Sequence, residues 1–116
     1  MLRQMCIAKI HGAVVTETEL YYEGSITIDR DLLEASGILV NERVQVVNLN
    51  NGARTETYVI EGGPGSGIIC LNGPAARNAE PGDEVHILCY GLVDEEEARD
   101  LTVNVVDVDR ENRITE

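Results

Sequence analysis

Short runs of Val, Ile and Leu alternate with polar residues along most of this chain, and clusters of Gly, Pro and Asn interrupt them, the pattern of β-strands joined by turns. The stretch Arg3 to Thr16 predicts a first strand ending in the β-branched run Val14-Val15-Thr16. Its alternation places Met5, Lys9, His11, Ala13 and Val15 on one side, so Lys9 and His11 point the same way, as in a pocket wall. Ser25 to Ile28 predicts a short strand, after which Asp29 caps a helix through Leu32, Leu33 and Ala35 that stops near Gly37. Val44 to Leu49 and Thr55 to Ile60 flank Asn50-Asn51-Gly52-Ala53, a hairpin signal because Asn and Gly tolerate the positive φ of tight turns. Arg54 follows that turn and shares a strand face with Tyr58.

The stretch Gly62-Gly63-Pro64-Gly65-Ser66-Gly67 reads as a loop. It lacks the Lys and the following helix of a phosphate-binding loop, and that function is excluded for it. Ile68 to Leu71 predicts another strand, and Asn72-Gly73-Pro74-Ala75-Ala76 turns into a short helix with Pro near its first turn. Backbone N–H groups at such a start face outward and can hold a carboxylate or carbonyl oxygen. Pro81-Gly82-Asp83 is a turn before a strand from Glu84 to Tyr90; Asp94 to Asp100 reads as a short acidic helix and Leu101 to Val108 as a last strand. Many short strands and few helices predict a mainly β protein, a small barrel.

Composition narrows the function. The 116 residues predict a single domain, 1–116. Nine Lys and Arg against 21 Asp and Glu leave a net charge of -12, which repels phosphate backbones and anionic headgroups, so neither nucleic acid nor a membrane is expected as a partner. With no Trp or Phe, the core falls to Val, Ile, Leu, Ala and a few Tyr. Cys6, Cys70 and Cys89 stand singly in apolar surroundings and read as reduced, buried, small hydrophobes. His11 and His86, isolated in sequence, do not make a metal site, and none is expected. The first residues show no apolar core of the signal-peptide kind, so the expected location is cytoplasmic.

The chemistry-bearing segments are Lys9-Ile10-His11, Tyr22-Glu23-Gly24-Ser25-Ile26-Thr27-Ile28-Asp29, Asn51-Gly52-Ala53-Arg54 with Thr57-Tyr58, Gly65-Ser66-Gly67, Asn72-Gly73 with Ala75-Ala76, and Pro81-Gly82-Asp83. In this order the chain resembles the pyruvoyl-dependent aspartate 1-decarboxylases, in register from Met1 to about Arg99. That resemblance implies a double-psi β-barrel with short helices, assembled as a homotetramer with active sites between subunits. It implies self-cleavage between Gly24 and Ser25 into residues 1–24 and 25–116, Ser25 becoming a pyruvoyl group with no metal and no pyridoxal phosphate. A small, permissive glycine before the serine lets the backbone bend so that Oγ reaches the preceding carbonyl.

The implied reaction converts L-aspartate to β-alanine and carbon dioxide through a Schiff base to that pyruvoyl group, for pantothenate and coenzyme A synthesis. No unmodified side chain stores the electron pair left by departing carbon dioxide, and the pyruvoyl ketone does. By the same resemblance Tyr58 is the proton donor; an ordinary tyrosine phenol is protonated at neutral pH. Thr57 and Asn72 are the donors to the oxyanion of self-cleavage. Lys9 and Arg54 hold the substrate's carboxylates, Gly73, Pro74 and Ala75 contribute the binding turn, and His11 and Tyr22 support the site. Pro74 stands where the family commonly has Ala, and it offers no N–H. Two other readings stay open at this stage: the same enzyme acting on glutamate or cysteine sulfinate, and a non-catalytic barrel. A maturation factor also stays open as a partner.

Overall fold

The computed structural model describes residues 1–115. In chain order the elements are β1 (Leu2–Val14), β2 (Glu17–Glu19), β3 (Ile26–Asp29), α1 (Arg30–Ser36), β4 (Arg43–Asn48), β5 (Arg54–Gly62), β6 (Ile69–Asn72), a 3-10 helix (Gly73–Asn78), β7 (Glu84–Asp94), α2 (Glu95–Asp100) and β8 (Asn104–Asp107). The mainly β expectation holds. The strands form one sheet in the order β2-β6-β3-β5-β4-β7-β1-β8. Parallel pairs β1·β8, β2·β6 and β3·β5 are interleaved with antiparallel ones, so the chain crosses over itself repeatedly. That order is consistent with the double-psi barrel. No helix among the described residues is long and apolar enough to cross a membrane.

Alternation explains the core. Ile10, Val46, Ile87 and Val106 turn inward from neighbouring strands, as do Ile26, Ile28, Val59, Ile69 and Leu71 from the β3, β5 and β6 side. β1 departs from strict alternation. Its register against β7 shifts between Cys6 and Ala8 and again between Ile10 and Ala13, and Gly12 adopts a φ of 80° at the second shift. Ala8 and Ile10 face the core before it, Ala13 and Val15 after it. Ala13 and Val15 therefore do not share a side with Lys9 and His11, contrary to the plain period-2 reading. Lys9 and His11 do share one, since both stay in step with β8 opposite Val105 and Asp107.

Other boundaries moved in identifiable ways. β7 runs on to Asp94 because it pairs with β1 as far as Leu2. The last strand shortens to Asn104–Asp107, the part in ladder register with β1. β2 has no periodic signal of its own and exists because Glu17 to Glu19 pair with β6. Cys70 and Cys89 are buried as expected, whereas Cys6 is only half-buried.

Asp29 does more than cap α1. Its Oδ1 accepts from Asp31 N at 2.8 Å and Gly65 N at 3.0 Å, and its Oδ2 accepts from Gly67 N at 2.8 Å. One buried carboxylate thus starts the helix and closes the glycine-rich loop. The carboxamide of buried Asn112 holds the same loop from the other side: Nδ2 donates to Gly67 O and Val14 O, both at 2.8 Å, and Oδ1 accepts from Val14 N at 2.7 Å. Asp29→Ala strands three buried or half-buried N–H groups and is expected to lower stability by about 3 kcal/mol. A urea midpoint equal to the wild type's at unchanged m-value would show that the clamp contributes nothing.

Candidate active site

The bend before β3 is built on two consecutive positive-φ residues. Gly24 has φ 130° and Ser25 φ 92°, the latter a conformation that L side chains rarely adopt, worth about 1–3 kcal/mol of strain. Ser25 is fully buried and gripped on every polar atom. Its N–H donates to Thr57 Oγ1 at 3.1 Å, its carbonyl accepts from Asn72 N at 2.9 Å, and its Oγ accepts from Asn72 Nδ2 at 3.0 Å. Asn72 Nδ2 also donates to Thr27 Oγ1 at 3.0 Å.

Three strands deliver these groups. β3 runs parallel to β5 with Ile26 opposite Val59, which sets Thr57 and Tyr58 level with the bend. β6 runs antiparallel on the other side with Ile26 opposite Leu71, which sets Asn72 beside Ser25. Thr57 points inward to Ser25, and Tyr58 points outward on the opposite face of β5. The ring of Tyr58 still borders the bend, since a Cβ built on Gly24 would lie 3.9 Å from its Cε1. Gly73 seals the other flank at φ 66°: a Cβ there would lie 2.8 Å from Gly24 N, Gly24 Cα and Tyr22 O. Ala75 is buried behind it, and Pro74 is exposed. Outside the bend an open cleft of about 1020 Å³ is lined by Leu20, Tyr21, Tyr22, Glu23, Pro74 and Arg77.

The two cations expected at the site lie elsewhere on the same chain. Arg54 is four positions before Tyr58 on β5, about 13 Å along the strand, and its Nη1 donates to Gln45 Oε1 at 3.2 Å. Lys9 is separated from β5 by β7 and β4, in the row Lys9, Leu88, Gln45, Glu56, about 14 Å across the sheet. Lys9, Arg54 and Tyr58 share the outward face of the sheet; of the three, Tyr58 borders the bend, while Lys9 and Arg54 lie along the sheet from it.

The family model described as Aspartate decarboxylase matches residues 1–115. The chain belongs to the aspartate decarboxylase family. It is 57% identical to a protein named Aspartate 1-decarboxylase from Bacillus cereus (strain G9842) over 116 residues, 100% of this chain and 91% of that protein. Proteins of the same name from Bacillus thuringiensis (strain Al Hakam) and Bacillus anthracis (strain CDC 684 / NRRL 3495) are each 56% identical over the same spans.

Thr27 and Cys70, to which the sequence pattern gave no role at the site, both hydrogen-bond with the Asn72 carboxamide. Thr27 lies two residues beyond Ser25 on the same strand, and Cys70 two residues before Asn72, so period 2 puts each beside its neighbour. That spacing was the available signal. The two histidines, isolated in sequence, meet in space. His11 stacks on His86 with ring centroids 4.1 Å apart, and His86 Nδ1 accepts from Gly12 N at 3.0 Å at the β1 bulge. The neutral imidazole of His86 therefore carries its proton on Nε2. His11 therefore packs at the β1 bulge.

Burial, then the neighbouring His11 and Lys9, hold the His86 imidazolium below its usual range against an opposing pull from Glu84. As pH falls below about 6.5, the unfolded chain takes up this proton before the folded one, so stability declines down to the folded value and is level beneath it. His86→Gln is expected to lose less stability than the wild type between pH 7.5 and pH 5, read from urea midpoints. An equal loss would clear His86 of any part in the acid sensitivity.

Proposed function

We propose that this chain is a self-processing aspartate 1-decarboxylase proenzyme, converting L-aspartate to β-alanine and carbon dioxide and so feeding pantothenate and coenzyme A synthesis. The observation that carries the proposal is the buried, strained Ser25 with Oγ and N–H both held, in a chain matched from end to end by the aspartate decarboxylase family. The relatives' names supply the substrate class.

Cleavage begins with Ser25 Oγ attacking the carbonyl carbon of Gly24. The C–N bond breaks, the hydroxyl proton moves to the departing nitrogen, and the peptide becomes an ester. Thr57 Oγ1, already against that nitrogen, stays within reach of the new amine. Loss of the Ser25 Cα proton then expels the Gly24 carboxylate from Cβ, and hydrolysis of the resulting dehydroalanine releases ammonia and leaves a ketone on residue 25. Residues 1–24 stay with 25–116, because β1 lies between β7 and β8 and β2 pairs with β6. A pyruvoyl group fits this position, because Asn72 and Thr57 already present polar atoms to residue 25.

A ketone there supplies the electron sink that amino-acid decarboxylation requires. The chain's own residues bind and protonate. Arg54 offers a planar fork and Lys9 a point charge for the two carboxylates of aspartate, against a net charge of -12 that opposes the anion's approach. The separation of both cations from Ser25 along the sheet favours a homotetramer in which a neighbouring copy completes each site. Tyr58, bordering the bend, holds the proton at Oη that returns to the substrate carbon.

Ser25→Ala is expected to fold and remain one chain under denaturing mass analysis; two fragments from that variant would end this mechanism. Tyr58→Phe is expected to cleave normally and to lose about 100-fold or more in β-alanine production. Full turnover in Tyr58→Phe would remove Tyr58 as the donor.

A further inference from the structure

The carboxamide of Asn72 stands between three side chains. Nδ2 donates to the hydroxyls of Ser25 and Thr27, each at 3.0 Å, and Oδ1 accepts from Cys70 Sγ at 3.2 Å. Hydroxyls both give and take hydrogen bonds, so Ser25 and Thr27 would accommodate Asn72 equally well with its amide turned over. In that orientation Oδ1 would face Ser25 and tie up its hydroxyl proton. A thiol is a weak donor and a weaker acceptor, so of the three neighbours only Cys70 tells the two ends of the amide apart. Burial, reinforced by Glu17 and Glu19 across β2, pushes the Cys70 thiol up to about 11, so it keeps its proton at neutral pH. Such a buried thiol is also a poor nucleophile and a poor target for oxidation.

We infer that Cys70 is a positioning residue for self-cleavage: its S–H fixes the Asn72 amide so that Nδ2, and not Oδ1, faces Ser25 Oγ. The inference rests on the cleavage reading above and assigns a stage of it. In the elimination step the Cβ–Oγ bond breaks and negative charge grows on the departing Gly24 carboxylate, whose oxygen is the former Oγ. Nδ2 stands against that oxygen and stabilises the charge as it develops. With the amide turned over, a carbonyl dipole would oppose the same charge. The ester would then persist and be lost to water, leaving Ser25 as an ordinary N-terminal serine.

The experiment follows freshly folded wild type, Cys70→Ala, Cys70→Val and Cys70→Ser by intact mass under denaturing conditions. The 25–116 fragment ending in a ketone is lighter than the serine-ended fragment by one ammonia, so one spectrum gives both the rate and the partition. Cys70→Ala and Cys70→Val are expected to form the ketone about three- to tenfold more slowly and to raise the share of serine-ended fragment. Cys70→Ser, which keeps a donor, is expected to restore both within about twofold. A general packing defect would slow cleavage without changing the partition and would not be rescued by the smaller, more polar serine. Wild-type partition in the Ala and Val variants, or failure of Ser to outperform them, overturns the inference while leaving self-cleavage intact. A wild-type chain that never yields fragments overturns the cleavage reading and this inference with it. The S–H stretching band of Cys70 in the uncleaved Ser25→Ala chain tests the bond without altering residue 70. A hydrogen-bonded position is expected there, and a free-thiol position overturns the inference.

Discussion

The grip of Asn72 on Ser25 is the constraint on which the rest of the site depends. A residue at φ 92° relaxes unless its surroundings over-determine it, and here the backbone N–H of Asn72 holds the carbonyl while its side chain holds Oγ. Asn72 can do both because it ends β6, the strand paired with β3 on one side, while Thr57 reaches the serine nitrogen from β5 on the other. The serine is clamped between two strands that are distant from it in sequence. Gly73 then lets the Gly24 backbone lie against the start of the 3-10 helix, at a separation that no side chain would permit.

Around this site the fold uses buried polar side chains to finish its loops. Asp29 and Asn112 both seize the backbone of Gly67, and Asn48 Nδ2 donates to Asn78 O at 3.1 Å and to Asp83 Oδ2 at 2.9 Å. Bonds of that kind, from Asn48 and from the Glu80 backbone, hold the Asp83 carboxyl below its usual range. Among the described residues no buried side-chain nitrogen or oxygen lacks a partner. A chain without Phe or Trp has a modest apolar core, and these ties order loops that apolar burial alone would leave loose. They also cross the Gly24–Ser25 bond, since Asn112 holds Val14 on one side of it and Gly67 on the other. The tail that looks least informative in sequence thus ties the segment before Gly24 to the one after it.

Charge and geometry point in the same direction. A net charge of -12 would repel an acidic amino acid, and the cations expected to receive it lie on the outward face of the sheet, away from the serine of their own chain. An assembly that sets one chain's outward face against another chain's bend would bring attraction and reactive group together, and would keep the anion's binding dependent on assembly. Tyr58 faces outward like Arg54, while its ring edge borders Gly24.

Much of this was legible in the sequence because it depends on near neighbours. Alternation located the strands from Ile26, Arg43, Arg54 and Ile69, Asp29 and Gly37 bracketed α1, and Asn51-Gly52 marked the β4–β5 hairpin, each through local backbone preference. The ordered set of Lys9, Gly24-Ser25, Arg54, Thr57-Tyr58 and Asn72-Gly73 named the family. The sequence could not show the β1 bulge that turns Ala13 and Val15 to the core, the strand β2 that exists only through β6, or the stacking of His11 on His86. Nor could it show that Cys70, Asn72, Thr27 and Ser25 form one hydrogen-bonded chain. Local preference acts through a few bonds of backbone, and the sequence by itself determined the elements and the residue types of the chemistry. Which of those residues touch was decided by strand order and register, properties of the whole sheet that no local pattern encodes.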